Sequence, residues 1–181
     1  MFLIYGGGEL TLEGYSDTSF QSDDDDVKSQ SNFVFKLNGG VVAWNSSKQD
    51  TTPDSTTEVE YIAASEAAKE VVWMRNYIQE LGVVPRIAEP VVIFCDKNRA
   101  IAQAKEPRSH RRSKHILRRY HLLKDMVSRG DYRIDRVSSA ENTADPLTKP
   151  LLQVAHTQHL DKMRLRAMSD WLWVKWEIVR I

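Results

Sequence analysis

A chain of 181 residues, 41% of them hydrophobic, is long enough to bury a proper core as one globular domain. Its 25 Lys and Arg balance 25 Asp and Glu, and a single cysteine, Cys95, excludes an intramolecular disulfide and suits a reducing compartment. No apolar run approaches the roughly 20 residues that span a bilayer, and the opening MFLIYGGGEL lacks the charged start of a secretory signal, so the chain reads as an internal piece of a longer protein.

The first third is strand-like. From Leu10 to Asp17 the chain alternates, with Thr11, Glu13, Tyr15 and Asp17 on one face. The acidic run Asp23 to Asp26 and the polar stretch to Ser31 read as a solvated loop. Phe33, Phe35 and Leu37 then alternate with Val34 and Lys36. Asn38-Gly39-Gly40 is a turn, and Val41 to Trp44 returns, which predicts a hairpin over 32–46. A polar loop from Ser46 to Asp54 follows.

Thr56 to Leu81 is the clearest element. Ser55 and Glu58 have capping-box spacing before it, and Gly82 is the expected left-handed stop. Val59, Ala63, Ala67, Val71, Met74, Ile78 and Leu81 recur every three or four residues and form its apolar face. At about 100° per residue, Glu60 falls inside that face, while Glu58 falls opposite it with Lys69, Asn76 and Glu80. A carboxylate on a buried face needs a charged partner. Glu60 is therefore either paired with an arginine or a metal-binding or catalytic acid.

Val91 to Asp96 is a continuous apolar run ending in an acid, as in a strand covered on both faces. Asn98 to Ala104 suits a short helix. Lys105 to Arg119 then holds seven basic residues against one acid, Glu106, which points to a polyanion. A second helix carries Ile116, Tyr120, Leu123 and Val127 as its stripe and stops at Gly130. Tyr132 to Val137 is a further strand, and Ser138 with Glu141 repeats the capping-box spacing before a short helix carrying Asp145. The order of elements makes a mixed α/β domain. Asp17, Glu60, Asp96 and Asp145 stand out by position. Clustered carboxylates need cations, and hard oxygen donors suit Mg²⁺ or Mn²⁺.

The blocks GYSDTSF, STTEVEYIAASEAAKE, VIFCDKNRAIAQAKEP, RSKHILRRYHLLKDMV and NTADPLTKPL resemble, in order, motifs of the ribonuclease H domain of copia-type LTR retrotransposon Pol polyproteins, particularly plant ones. The resemblance covers nearly the whole chain, giving a ribonuclease H-like domain over 1–172 and an extension over 173–181. It implies a five-stranded mixed sheet flanked by helices, and hydrolysis of the RNA strand of RNA–DNA hybrids. It implies an intracellular setting, in a cytoplasmic virus-like particle or the nucleus, and fusion to a reverse transcriptase. The family's four metal-binding catalytic carboxylates match Asp17, Glu60, Asp96 and Asp145. By that likeness Asp17 and Asp96 share two Mg²⁺ or Mn²⁺ ions, Glu60 holds the leaving-group ion and Asp145 the water-activating one. Arg108, Arg111, Arg112, Lys114, Arg118 and Arg119 would hold phosphates. The chain departs from the family where Lys97 follows Asp96 in place of the usual Asn, and where Asn32 replaces the Gly common before an aromatic residue. The alternative, which Lys97, the tail after Leu172 and the missing polymerase favour, is a decayed copy that folds and at most binds nucleic acid.

Overall fold

The computed structural model describes residues 2–3, 10–19, 28–49, 56–82, 89–96, 114–147 and 151–167. Its frame is a five-stranded mixed sheet. Strands β2 (Leu12–Ser19), β3 (Gln30–Leu37) and β4 (Gly40–Lys48) form an antiparallel meander, and β5 (Val91–Cys95) and β6 (Tyr132–Arg136) add parallel strands beyond β2. The order across the sheet is β4-β3-β2-β5-β6. A separate two-residue pair joins β1 (Phe2–Leu3) to β7 (Leu165–Arg166). Among the described residues three α-helices accompany the strands: α1 (Thr56–Leu81), α2 (Lys114–Ser128) and α3 (Gln153–Lys162). The sheet that the sequence implied is present strand for strand.

Alternation decides which residues meet the helices. Leu12, Phe33, Phe35, Val91, Ile93, Cys95, Tyr132 and Ile134 share the face that packs on α1 and α2. Ala67, Ala68 and Val71 of α1 lie against that face with no measurable exposure, so small and β-branched residues let the helix sit close. Gly14 is part of the same economy. A Cβ there would stand 2.4 Å from Cε1 of the fully buried Phe35 ring, which has nowhere to swing. Gly14→Ala should therefore destabilise the fold by about 1–3 kcal/mol through overpacking, read as a lower denaturation midpoint with an unchanged slope.

The opposite face is built from Tyr15, Val34 and Val41, with Phe94 half-buried beside them. Ala144, Leu147 and Met163 from the C-terminal third cover it. Arg75 of α1 ties the helical layer to the start of β6. It donates to the Gly130 carbonyl at 3.2 Å and pairs with Asp131 at 3.1 Å.

The element ends follow their local chemistry. Gly82 and Gly130 have φ of +65° and +73° and stop α1 and α2. Asn38 and Gly39, at +50° and +79°, make the two-residue hairpin turn with both centres left-handed. Helix α1 has the bounds the sequence predicts, although Ser55 of its expected cap lies outside the described residues.

Other expectations need correction. The first strand starts at Leu12, not Leu10, and β4 runs on to Lys48 where a loop from Ser46 was expected, because Asn32, Ser31 and Gln30 continue the ladder beside it. Leu81, placed on the apolar face, is 53% exposed because it lies beyond the last core turn. In α2 the buried partner of Leu123 is Met126, one residue before the expected Val127. The short helix expected from Ser138 is two 3-10 turns, Ser139–Glu141 and Asp145–Leu147. Ser138 makes no side-chain cap bond and Glu141 pairs with Lys162 at 3.3 Å instead. Asn142, in extended geometry, separates the turns, and Pro146 after Asp145 disfavours a continuous helix. Helix α3 and the β1–β7 pair were not expected at all. The short helix over 98–104 lies outside the described residues.

Candidate active site

The site is set by one fact of topology. Strands β2 and β5 are parallel neighbours, so their carboxyl ends open on the same edge, with Ser16 opposite Cys95. Asp17 and Asp96 are the next residues along. They therefore stand on adjacent strands, whose axes lie about 4.8 Å apart. Asp17 is 2% exposed, on the face away from α1. Asp96, just past the end of β5, is half-buried.

The segment from Val137 to Leu147 folds over this edge and is fastened to β2 and β5 at three points. Ser139 Oγ donates to Asp96 Oδ2 at 2.8 Å. The Asn142 side chain donates to the Ser16 carbonyl at 3.0 Å and accepts from the Ala144 amide at 3.1 Å. Val137 N–H donates to the Cys95 carbonyl at 3.0 Å. Asn142, Thr143, Ala144 and Asp145 are all buried as a result. Asp145 thus reaches the same edge as Asp17 and Asp96, from a 3-10 turn whose last residue, Leu147, accepts from Ser46 Oγ at 3.4 Å.

Glu60 comes from the other layer. The carbonyl of its neighbour Val59 accepts from Gln49 Nε2 at 3.1 Å, and the same nitrogen lies 2.6 Å from Ser31 Oγ, opposite Thr18 of β2. That network brings the first turns of α1 to the edge that carries Asp17. The Glu60 side chain is outside the described residues. Glu58 is half-buried rather than fully in solvent.

Tyr15 lies two residues before Asp17 on the same face. Its hydroxyl donates to Glu13 at 3.3 Å, and its ring stands 5.2 Å from that of Phe94. Burial, and then the Glu13 carboxylate, push the phenol above its usual range, so it stays neutral. Lys36 pairs with Glu13 at 3.0 Å and lies 5.1 Å from the centre of the Tyr15 ring. His159 of α3 is 8% exposed. Burial and then Lys162 hold it below the usual imidazole range, partly offset by Asp145 and Glu141.

The donor set suits a hard cation. Asp96 Oδ1 is buried and accepts no hydrogen bond among the described residues, while its partner oxygen is oriented by Ser139. No group of three His, Cys, Asp or Glu is arranged to hold a metal ion among the described residues. What they offer is a pair of adjacent carboxylates with a third acid at the same edge. That matches Mg²⁺, which is held through one or two carboxylates plus water and substrate phosphates rather than by an all-protein cage.

Of the residues expected to bind phosphate, Lys114, Arg118 and Arg119 lie on α2, with side chains outside the described set; Arg108, Arg111 and Arg112, like Lys97, lie outside it altogether. Asn32, Ser139 and Asn142 contribute to the edge without having been singled out as site residues. Asn142 carries a sequence signal in retrospect, since an Asx residue two before a buried amide is a local turn former.

No family model matches the sequence. The chain is 40% identical over 147 residues to the retrovirus-related Pol polyprotein from transposon TNT 1-94 of Nicotiana tabacum, a match covering 81% of this chain. It spans only about a tenth of the length of the curated relatives it matches. Among solved structures, a ribonuclease H1 from Halobacterium salinarum aligns over 83% of this chain and 98% of its own, with a TM-score of 0.53 and 17% identity. The LC11 ribonuclease H1, solved in complex with an RNA/DNA hybrid, aligns over 76% of this chain and 93% of its own, at a TM-score of 0.52 and 13% identity. These likenesses show the ribonuclease H fold.

Proposed function

We infer that this chain, a ribonuclease H-fold relative of the retrovirus-related Pol polyproteins of transposons, hydrolyses the RNA strand of RNA–DNA hybrids with divalent cations. The observation that carries this reading is the adjacency of Asp17 and Asp96 at the carboxyl ends of two parallel strands. The family would be the copia type, and the normal setting an intracellular polyprotein fused to a reverse transcriptase. Among the described residues no helix is long and apolar enough to cross a membrane.

Bound at this edge, divalent cations would supply an activated water and neutralise the leaving oxygen of an in-line displacement. Asp17 and Asp96 would hold them. Ser139 keeps one oxygen of Asp96 engaged, and the other is buried with no hydrogen bond among the described residues. Asp145, held by the Asn142 clamp, and Glu60, delivered by the start of α1, would complete the acids. The neutral Tyr15 adds no charge beside them. Hybrid would be told from duplex DNA through 2′-hydroxyl contacts across the shallow minor groove.

Incubating the purified chain with a labelled hybrid and Mg²⁺ or Mn²⁺ tests the reading. RNA-strand fragments that disappear on chelation support it. Hybrid binding without cleavage under either ion would assign the chain to the decayed, binding-only alternative, which Lys97 beside Asp96 favours.

The basic segment gives a separate expectation. Replacing Arg111, Arg112 and Lys114 together by Ala should weaken hybrid binding about equally for all sequences. The slope of log affinity against log salt should fall by about 0.9 for each phosphate no longer neutralised, if duplex counterion release transfers. Fluorescence anisotropy at several salt concentrations measures it, and an unchanged slope would place the segment away from nucleic acid.

A further inference from the structure

Asn32 is 1% exposed, and neither its Oδ1 nor its Nδ2 has a hydrogen-bond partner among the described residues. A carboxamide withdrawn from water with both ends unsatisfied is costly, so something must meet it in the working protein. Its place is specific. On the antiparallel ladder Asn32 lies directly opposite Asp17, and on its other side opposite Ser46. Cross-strand partners share a face, with Cβ atoms about 4.5–5.5 Å apart. Asp17, Asn32 and Ser46 therefore form a polar row across three strands. The turn carrying Asp145 roofs that row through the Ser46–Leu147 hydrogen bond. Beside this row Val34 and Tyr15 are apolar packing, so the amide is not part of a general polar surface.

We propose that Asn32 is a positioning residue whose Oδ1 accepts hydrogen bonds from the water shell of a divalent cation held at Asp17. The inference rests on the metal-dependent reading above and adds a residue to it. Mg²⁺ keeps several of its waters when bound by few carboxylates, and those waters are strong donors. A cation at Asp17 brings such donors to the orphaned oxygen. A side chain one strand away in the same row is too far back to ligate in place of an acid but well placed to fix the hydrated ion. Groups of this outer kind tune metal affinity by about 10–100-fold.

The test is calorimetric titration of the substrate-free chain with MgCl₂ and with MnCl₂, comparing wild type with Asn32→Ala and Asp17→Asn. The dissociation constant of Asn32→Ala should rise about tenfold or more, while its melting temperature without metal is equal or higher, because the orphaned amide is gone. A purely structural Asn32 would show the reverse: lower metal-free melting and an unchanged dissociation constant. Where Ala leaves the strand too weak to fold, Asn32→Val, an apolar and strand-favouring residue, gives the same comparison. Metal binding equal to wild type in a folded variant overturns the proposal and leaves the ribonuclease reading intact. No metal binding by wild type, or binding by Asp17→Asn equal to wild type, overturns both.

Discussion

Asp17→Asn should abolish hybrid cleavage, by about a thousandfold or more, with the fold retained. The change is nearly isosteric, at a residue 2% exposed in the middle strand of the sheet. It removes the charge that, on the proposed reading, would hold a cation between two adjacent carboxylates. Metal stabilisation of a phosphoryl transition state is worth several kcal/mol, and each 1.36 kcal/mol is tenfold in rate, so losing about 4 kcal/mol gives roughly that factor. Removing one of two neighbouring acids, Asp17 buried and Asp96 half-buried, also relieves repulsion in the metal-free protein, so melting without metal should not fall. Glu60→Gln should share the loss of activity and Glu58→Gln should not. Initial cleavage rates beside circular dichroism melts settle the point. A rate within tenfold of wild type for Asp17→Asn would remove Asp17 from the chemistry.

The second large effect is on stability and site together. Asn142 has no measurable exposure, and its side chain serves both the Ser16 carbonyl and the Ala144 amide. Asn142→Ala strands both groups in the interior, and an unsatisfied buried group costs about 1–3 kcal/mol. The expected loss is about 2–4 kcal/mol, which for a chain of this size lowers the melting temperature by roughly 5–15 °C. Cleavage measured well below that temperature should fall as well, since the turn carrying Asp145 loses its clamp to β2. Asn142→Asp keeps the oxygen that serves Ala144 but sets a buried carboxylate against the Ser16 carbonyl, so it should melt no higher than the Ala variant. Unchanged melting in the Ala variant would show that the clamp contributes nothing.

What the sequence made legible was whatever local pattern encodes. Helix α1 was readable to its ends because its apolar residues keep one period over 26 positions and a glycine follows. The same period prefers Glu60 to Glu58 as an expectation, and the Glu60 side chain lies outside the described residues. The five strands of the sheet were readable from alternation and turn residues. Helix α3 was not, because His159 is its one buried residue and no apolar stripe marks it. The misplacement of Asp145 on a helix has a clear origin. The spacing of Ser138 and Glu141 imitates a cap, but Lys162, distant in sequence, takes the glutamate. The adjacency of Asp17 and Asp96 is invisible to any local pattern, since it depends on which strands pair and in which register. Asn32 stands out in the sequence only as a departure; its meaning needs the residue opposite.

The strand order also says when the site comes into being. The meander of β2, β3 and β4 closes through connections of ten and two residues, and α1 packs on it directly. Pairing β2 with β5 joins residues about eighty positions apart, and loop closure of that kind is entropically expensive and slow. Asp17 therefore belongs to the part that can form early, and Asp96 to the part that arrives late. The Asn142 clamp docks onto Ser16 from farther along still. A growing chain carries its first acid long before the partners that would make it reactive, so the proposed nuclease competence would be withheld until the last strands have been added.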